Sequence, residues 1–228
     1  MITKIPSVLT KEQITHIRTE FEKMEWIDGN VTAGHQSVQV KQNLQLNGSD
    51  PKVQEFSIKI IEILQQNPMF VSSALPLKIS PPMFNKYTNG GHYGTHVDSA
   101  IRQIPNTPHR LRTDLSATLF LSDPDEYQGG ELTIEDANGS YQVKLPAGDM
   151  ILYESGRMHN VSPVTEGSRI ACVFWVQSMV RSAEHRSILL DLDISIQTIT
   201  QKAGNVSHAE LVRLTGVYHN LLRLWGDC

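Results

Sequence analysis

His96-Val97-Asp98 sets an imidazole and a carboxylate two residues apart. In an extended chain, residues i and i+2 project to one face, so His96 and Asp98 could meet one metal ion from adjacent corners while Val97 points away. A third ligand has to come from elsewhere. His159, in Gly156-Arg157-Met158-His159-Asn160-Val161, follows an expected strand and a glycine turn and is the best candidate. Two imidazoles and one carboxylate leave three positions open on an octahedral ferrous ion.

His-x-acid alone is a weak pattern in a chain with nine histidines and 24 acidic residues, where a lone histidine is more often structural than a ligand. Arg169 strengthens it, because this arginine opens the mostly apolar run from Arg169 to Gln177. A guanidinium at the start of a buried strand is costly unless it meets an anion, and its planar fork suits a carboxylate held at two points. The alternative is a strand-end arginine that snorkels to solvent or pairs with Asp or Glu.

These groups need a β scaffold. From about Leu77 to Gln177 the hydrophobic period is two residues, giving candidate strands Met83–Thr88, His96–Asp98, Ala117–Leu121, Glu131–Ile134, Tyr141–Leu145, Met150–Tyr153 and Arg169–Gln177. Gly-rich turns separate them, and Asn138-Gly139 is a strong hairpin signal. Many short strands without intervening helices indicate a sandwich, jelly roll or barrel.

Helical periods flank this region. Thr10 and Gln13 form a capping box ahead of Ile14, Ile17, Phe21 and Met24. Asp50 caps a second helix with Pro51 at its first position, and Asn67-Pro68 is expected to stop it. Between these helices, Ser37 to Leu46 suits a strand with one buried face. After Val180, one stripe runs through Ile188, Leu189, Leu192, Ile196 and Ile199. Beyond Gly204-Asn205, a Ser207/Glu210 capping box opens another through Leu211, Leu214, Tyr218, Leu221, Leu222 and Trp225. These two helices form a hairpin on the β core or a candidate homo-oligomer interface. The expected class is mainly β with flanking helices (α+β), divided into residues 1–76, 77–178 and 179–228.

Other polar residues have blander readings. His92 and His96 would make an HxxxH zinc pair only on a helix, which Asn89-Gly90-Gly91 and Gly94 disfavour, so His92 is placed in a loop near the site mouth. His16, His185, His208 and His219 fall on helices as surface residues, and His35 lies in a loop without an identified partner. The connection from Ser99 to Asp114, with Arg102, His109, Arg110 and Arg112, is either a substrate-facing lid for an acidic ligand or a solvated loop. Asp123, Asp125 and Glu126 read as loop solvation. Cys172 alternates to the face opposite Arg169 and is expected to be packed.

The 228 residues are 39% hydrophobic and 19% charged, enough for a substantial core without disulfide staples. No stretch reaches the roughly 20 apolar residues that span a bilayer. The N-terminus lacks a signal-peptide pattern, and two distant cysteines make no framework, so a reducing, cytoplasmic setting is expected. Twenty basic against 24 acidic residues give a net charge of −4. That excess disfavours a nucleic-acid partner.

Together, His96-x-Asp98, His159 and Arg169 on this strand plan resemble the Fe(II)- and 2-oxoglutarate-dependent dioxygenases. The likeness is closest to the prolyl-4-hydroxylase-like branch and, within it, to bacterial PKHD-type hydroxylases. Phe84-Asn85-Lys86-Tyr87, Gly90-Gly91-His92-Tyr93-Gly94, His96-Val97-Asp98-Ser99-Ala100 and Tyr127-Gln128-Gly129-Gly130-Glu131-Leu132 carry it. The resemblance implies a double-stranded β-helix (jelly roll) core with N-terminal helices and a C-terminal helical hairpin. It implies Fe(II) on His96, Asp98 and His159, and 2-oxoglutarate held through Arg169, with Tyr87 as a second contact or a core aromatic. It further implies O2 consumption, hydroxylation of an unactivated C–H bond in a small-molecule or peptidyl substrate, release of succinate and CO2, and ascorbate (vitamin C) as reductant. Asp98 speaks against the related halogenases, in which the carboxylate is absent. Arg169 stands where animal collagen prolyl hydroxylases usually have Lys, which weakens an inference to peptidyl proline. Two rivals stay open: a cupin-like metal-binding or sensing protein without oxygenase turnover, and a zinc hydrolase.

Overall fold

The structure, a computed structural model, describes residues 2–32, 39–105, 107–136, 139–202 and 208–227. His35, Ser37, Val38, Asn138, the Gly204-Asn205 loop, the Ser207 cap and Cys228 lie outside the described residues.

In chain order the elements are β1 (Ile2–Ile5), α1 (Lys11–Phe21), β2 (Trp26–Asp28), β3 (Lys41–Gln42), β4 (Leu44–Leu46), α2 (Pro51–Gln66), α3 (Pro68–Ala74) and β5 (Pro76–Ile79). There follow β6 (Met83–Tyr87), β7 (His92–His96), β8 (Ile101–Gln103), β9 (Arg110–Arg112), β10 (Leu115–Phe120), β11 (Tyr127–Gly129), β12 (Leu132–Asp136) and β13 (Gly139–Val143). The chain ends with β14 (Met150–Glu154), β15 (His159–Val161), β16 (Val164–Gly167), β17 (Arg169–Ser178), α4 (Ala183–Lys202) and α5 (His208–Trp225).

All strand pairs are antiparallel. A major sheet runs β1-β14-β10-β17-β6-β4-β2, with β5 also on β17, and a minor sheet runs β13-β12-β15-β7-β3. Together they form a jelly-roll core with helices at both ends of the chain. Strand alternation divides the major sheet cleanly. Ile170, Cys172, Phe174 and Val176 of β17 join Phe84, Leu115, Leu119 and Leu152 in a core under α1, α2 and α3. Arg169, Val173 and Trp175 lie on the other side, lining the cavity between the sheets. Tyr87, Phe120, Ile151 and Tyr153 continue that inner face, against Leu132, Ile134, Val143 and Val161 of the minor sheet. Cys172 is buried, as its alternation implies.

The local signals account for the helices. Thr10 makes both bonds of its capping box with Gln13, and Asp50 accepts from the Lys52 amide ahead of Pro51. Asn67-Pro68 ends α2 but does not end helical structure. Asn67 caps a new helix by accepting from the Phe70 amide, and Pro68 occupies its first position, where the missing N–H costs nothing. That helix stops at Leu75, whose φ is 43°.

The C-terminal helices are attached to this body through their own apolar stripe. Leu189 of α4 packs with Leu75 and Val180, and Tyr218, Leu221, Leu222 and Trp225 of α5 close over them. The buried turn of α4 is Leu189 and Leu190, while Ile188, expected in the stripe, is exposed. No described helix is long and apolar enough to cross a membrane.

Candidate metal centre and co-substrate pocket

Register, more than pleat, brings the candidate ligands together. β7 pairs with β15 so that His96 and His159 are direct cross-strand partners, with ring centroids 4.2 Å apart. β7 begins at His92 and ends at His96, which corrects two expectations. His92 is the first strand residue, its Nδ1 3.0 Å from the Gly90 carbonyl. Asp98 lies beyond the strand, so it does not share a pleat face with His96. It is drawn in from the opposite sheet, where Ser116 Oγ of β10 donates to Asp98 Oδ2 at 2.6 Å. The single Ser116 proton is then spent, so the 2.7 Å contact to Ser155 is one in which Ser155 donates. The ligand atoms of His96, Asp98 and His159 all lie within 4.8 Å of one another.

Each imidazole is oriented from behind. His96 Nδ1 sits 2.8 Å from the Gly94 carbonyl and His159 Nδ1 2.9 Å from the Arg157 carbonyl. Carbonyl oxygens only accept, so Nδ1 carries the proton in both rings and Nε2 offers its lone pair to the cavity. Arg157 is itself pinned, by Asp136 at 2.5 Å and Glu154 at 3.3 Å. The Tyr93 ring stacks on His96 at 3.6 Å. Burial, reinforced by the His159 imidazole, pushes the His96 pKa down to about 4, so the ring is neutral near pH 7, as a metal ligand must be.

Arg169 lies across the same cavity. Its register partner on β6 is Tyr87, and its guanidinium carbon is 5.3 Å from both the Tyr87 and Phe120 ring centroids. It is 1% exposed, yet among the described residues it forms no ion pair, and its Nε has no hydrogen-bond partner. The buried Tyr127 hydroxyl lies beside this guanidinium. Gly130 makes this approach possible. Its φ is +69°, and a Cβ there would come within 3.0 Å of Arg169 Cδ and 2.9 Å of Tyr127 Cε2. The Tyr87 hydroxyl is pushed up to about 12 by burial, so it stays protonated and able to donate.

Three residues of this site carry no role in the sequence-based reading, Ser116, Arg157 and Tyr127, while Arg102 entered it only as part of the Ser99 to Asp114 connection. Tyr127 had a signal, as part of the quoted Gly-Gly motif. Ser116 and Arg157 act through contacts that only the folded chain reveals. Elsewhere, His16 and His219 are exposed as expected, but His185 is half-buried and stacks on Trp225 at 4.0 Å. Asp123 and Glu126 do more than solvate a loop: Asp123 accepts from the Ala147 amide, and Glu126 pairs with Arg18 at 2.7 Å.

Residues 82–177 match the 2OG-Fe(II) oxygenase superfamily, and residues 184–227 match the PKHD-type hydroxylase C-terminal domain. A PKHD-type hydroxylase from Saccharophagus degradans is 53% identical over 227 residues, covering 100% of both chains. The chain belongs to the PKHD-type hydroxylases. A second member, from Methylobacillus flagellatus, is 52% identical over the same span, again covering 100% of both chains. Solved structures share the fold at low identity. A Trichoplax adhaerens prolyl hydroxylase in complex with a hypoxia inducible factor peptide has a TM-score of 0.55 at 14% identity, covering 77% of this chain and 82% of that one. HygX from Streptomyces hygroscopicus, with nickel, 2-oxoglutarate and hygromycin B bound, has a TM-score of 0.53 at 15% identity, covering 76% and 81%.

This PKHD-type hydroxylase is therefore a 2-oxoglutarate-dependent dioxygenase, and its donor set fits the cofactors of that family. Two imidazoles with their Nε2 lone pairs available and one carboxylate suit a ferrous ion with positions to spare. The unpaired, buried guanidinium suits the free end of a dicarboxylate.

Proposed function

We propose that His96, Asp98 and His159 bind Fe(II), that Arg169 with Tyr87 holds the distal carboxylate of 2-oxoglutarate, and that the enzyme hydroxylates an unactivated C–H bond of a small-molecule or peptidyl substrate, releasing succinate and CO2. The observation that carries this reading is Arg169: a fully buried guanidinium that forms no ion pair among the described residues, in one cavity with the three candidate ligands. A cupin-like sensor could use the same three ligands, but it leaves that charge uncompensated.

When bound, iron and 2-oxoglutarate together supply the oxidising power. The protein positions and shields. The Gly94 and Arg157 carbonyls fix both imidazole tautomers, and Ser116 fixes the rotamer of Asp98. Arg169 sets the depth at which a dicarboxylate seats, and the Tyr87, Phe120 and Tyr153 side chains exclude water around it. Ascorbate is the proposed reductant for iron oxidised outside productive turnover. A reducing cytoplasm is the proposed setting, in keeping with the unpaired, buried Cys172.

The deciding experiment is succinate formation from 2-oxoglutarate. It should require both Fe(II) and O2 and be inhibited by Zn(II). Hydrolytic activity that persists anaerobically with zinc would overturn the assignment. Ser116→Ala should weaken metal binding by about 10- to 100-fold, the usual cost of losing a group that orients a ligand. Chelator competition would measure it, and unchanged affinity would remove Ser116 from the site.

A further inference from the structure

Arg102 lines the same cavity as Arg169 and is unclaimed by the chemistry above. It lies on β8, which among the described residues pairs with β9 alone, in a hairpin that borders the cavity; the segment expected as a loop or lid is thus a short β ribbon. Its guanidinium carbon is 3.8 Å from the Trp175 ring centroid, a stack that holds the planar fork in place while leaving its N–H edge available. Among the described residues the Arg102 side chain has no ion pair or hydrogen bond, and the carboxylate that acts on it is Asp98.

Charge counting then isolates it. With Fe(II), Asp98, Arg169 and doubly charged 2-oxoglutarate in place, those four charges cancel, and Asp98 is committed to the metal. Arg102 is left over. Lys41 on the same wall adds positive charge, answered in part by Asp28 and by its bond to the Gly29 carbonyl at 2.7 Å. A second cavity of about 500 Å³ adjoins the first and shares Gln45, Met83, Arg102 and Trp175 with it. Beyond that neck its walls are largely apolar, including Val53, Ile58 and Ile61 of α2, with Ile104 facing them. Ile58 is 57% exposed, an apolar side chain left open along this groove.

We propose that Arg102 anchors a carboxylate of the substrate near the carbon to be oxidised, with the apolar remainder of the same molecule lying in the groove along α2. The substrate class is an amphiphilic carboxylic acid. This rests on the metal and co-substrate assignment, because the charge count assumes both are bound.

The test is calorimetry on the full chain loaded with Mn(II) in place of iron and saturated with 2-oxoglutarate, titrated with octanoate or octan-1-ol as probes. Octanoate should bind at least about tenfold more tightly than the alcohol, the worth of one charge-assisted contact. Arg102→Gln should lose that advantage with 2-oxoglutarate affinity unchanged, and Ile58→Asp should weaken both probes. Equal binding of the two probes, no octanoate binding, or full octanoate affinity in Arg102→Gln would overturn the proposal. Failure of the wild-type protein to bind 2-oxoglutarate is seen before any probe is added, and it overturns the underlying assignment and the proposal with it. If Arg102→Gln itself fails to bind 2-oxoglutarate, Ile58→Asp on the exposed helix decides. Lost octanoate binding with 2-oxoglutarate binding intact supports the groove, and retained binding overturns it.

Discussion

His96→Ala and Asp98→Ala are each expected to abolish 2-oxoglutarate turnover, a loss well beyond the roughly 100-fold that removal of a supporting group costs. The fold should survive both. Neither side chain belongs to an apolar cluster of the described residues, and both are half-buried. The signature that separates a ligand from a merely nearby polar residue is thermal. Wild-type protein should melt higher with Mn(II) or Fe(II) under anaerobic conditions, because a metal that binds only the native state stabilises it in proportion to the logarithm of its concentration over Kd. Both variants should lose that shift while their metal-free melting temperatures stay close to wild type. Turnover at the wild-type rate in either variant would mean that the ligands have been misassigned.

The chemistry was legible in the sequence because it rests on residue types; the geometry was not, because it rests on register. Thr10, Gln13, Asp50 and Pro51 act on their own helix termini, so the caps are visible within a few residues of chain. Arg169 was legible because its cost is local: a charge heading a run of apolar residues needs an anion wherever that run is buried. By contrast, the spacing of His96 and Asp98 suggested a shared strand face, whereas β7 ends at His96 and the two groups meet through Ser116 and the pairing of His96 with His159. Pairing between strands more than 60 residues apart leaves no local trace. The short ribbon β8–β9 was equally hidden. Its three-residue strands have no second layer of their own to impose alternation, and the stacking of Arg102 on Trp175 is purely tertiary. Pro68 misled for another reason, since proline before a stretch of helix formers opens a helix as readily as it closes one.

Arg169→Met is expected to cost the enzyme its co-substrate and to stabilise the empty protein. Replacing buried ion pairs by well-packed apolar side chains of similar volume ranges from neutral to a gain of about 1–4 kcal/mol, because charge no longer has to be kept out of water, and a lone buried charge should lie toward the favourable end. Arg169 is a strong case: it is 1% exposed, flanked by the Tyr87 and Phe120 rings, and forms no ion pair among the described residues. On the proposed assignment 2-oxoglutarate brings a carboxylate to Arg169 in the wild type, so a concentration near 100 times Kd should stabilise the fold by about 2.7 kcal/mol. The variant should therefore unfold at higher urea than the wild type when both are empty. It should show no further gain from 2-oxoglutarate alone, and its 2-oxoglutarate requirement in turnover should rise far more than its iron requirement. A purely structural Arg169 predicts the reverse on every count: a variant that unfolds earlier, still gains from 2-oxoglutarate, and loses iron and 2-oxoglutarate affinity equally. The unfolding midpoint with and without 2-oxoglutarate thus separates an arginine kept to hold a ligand from one kept to hold the fold.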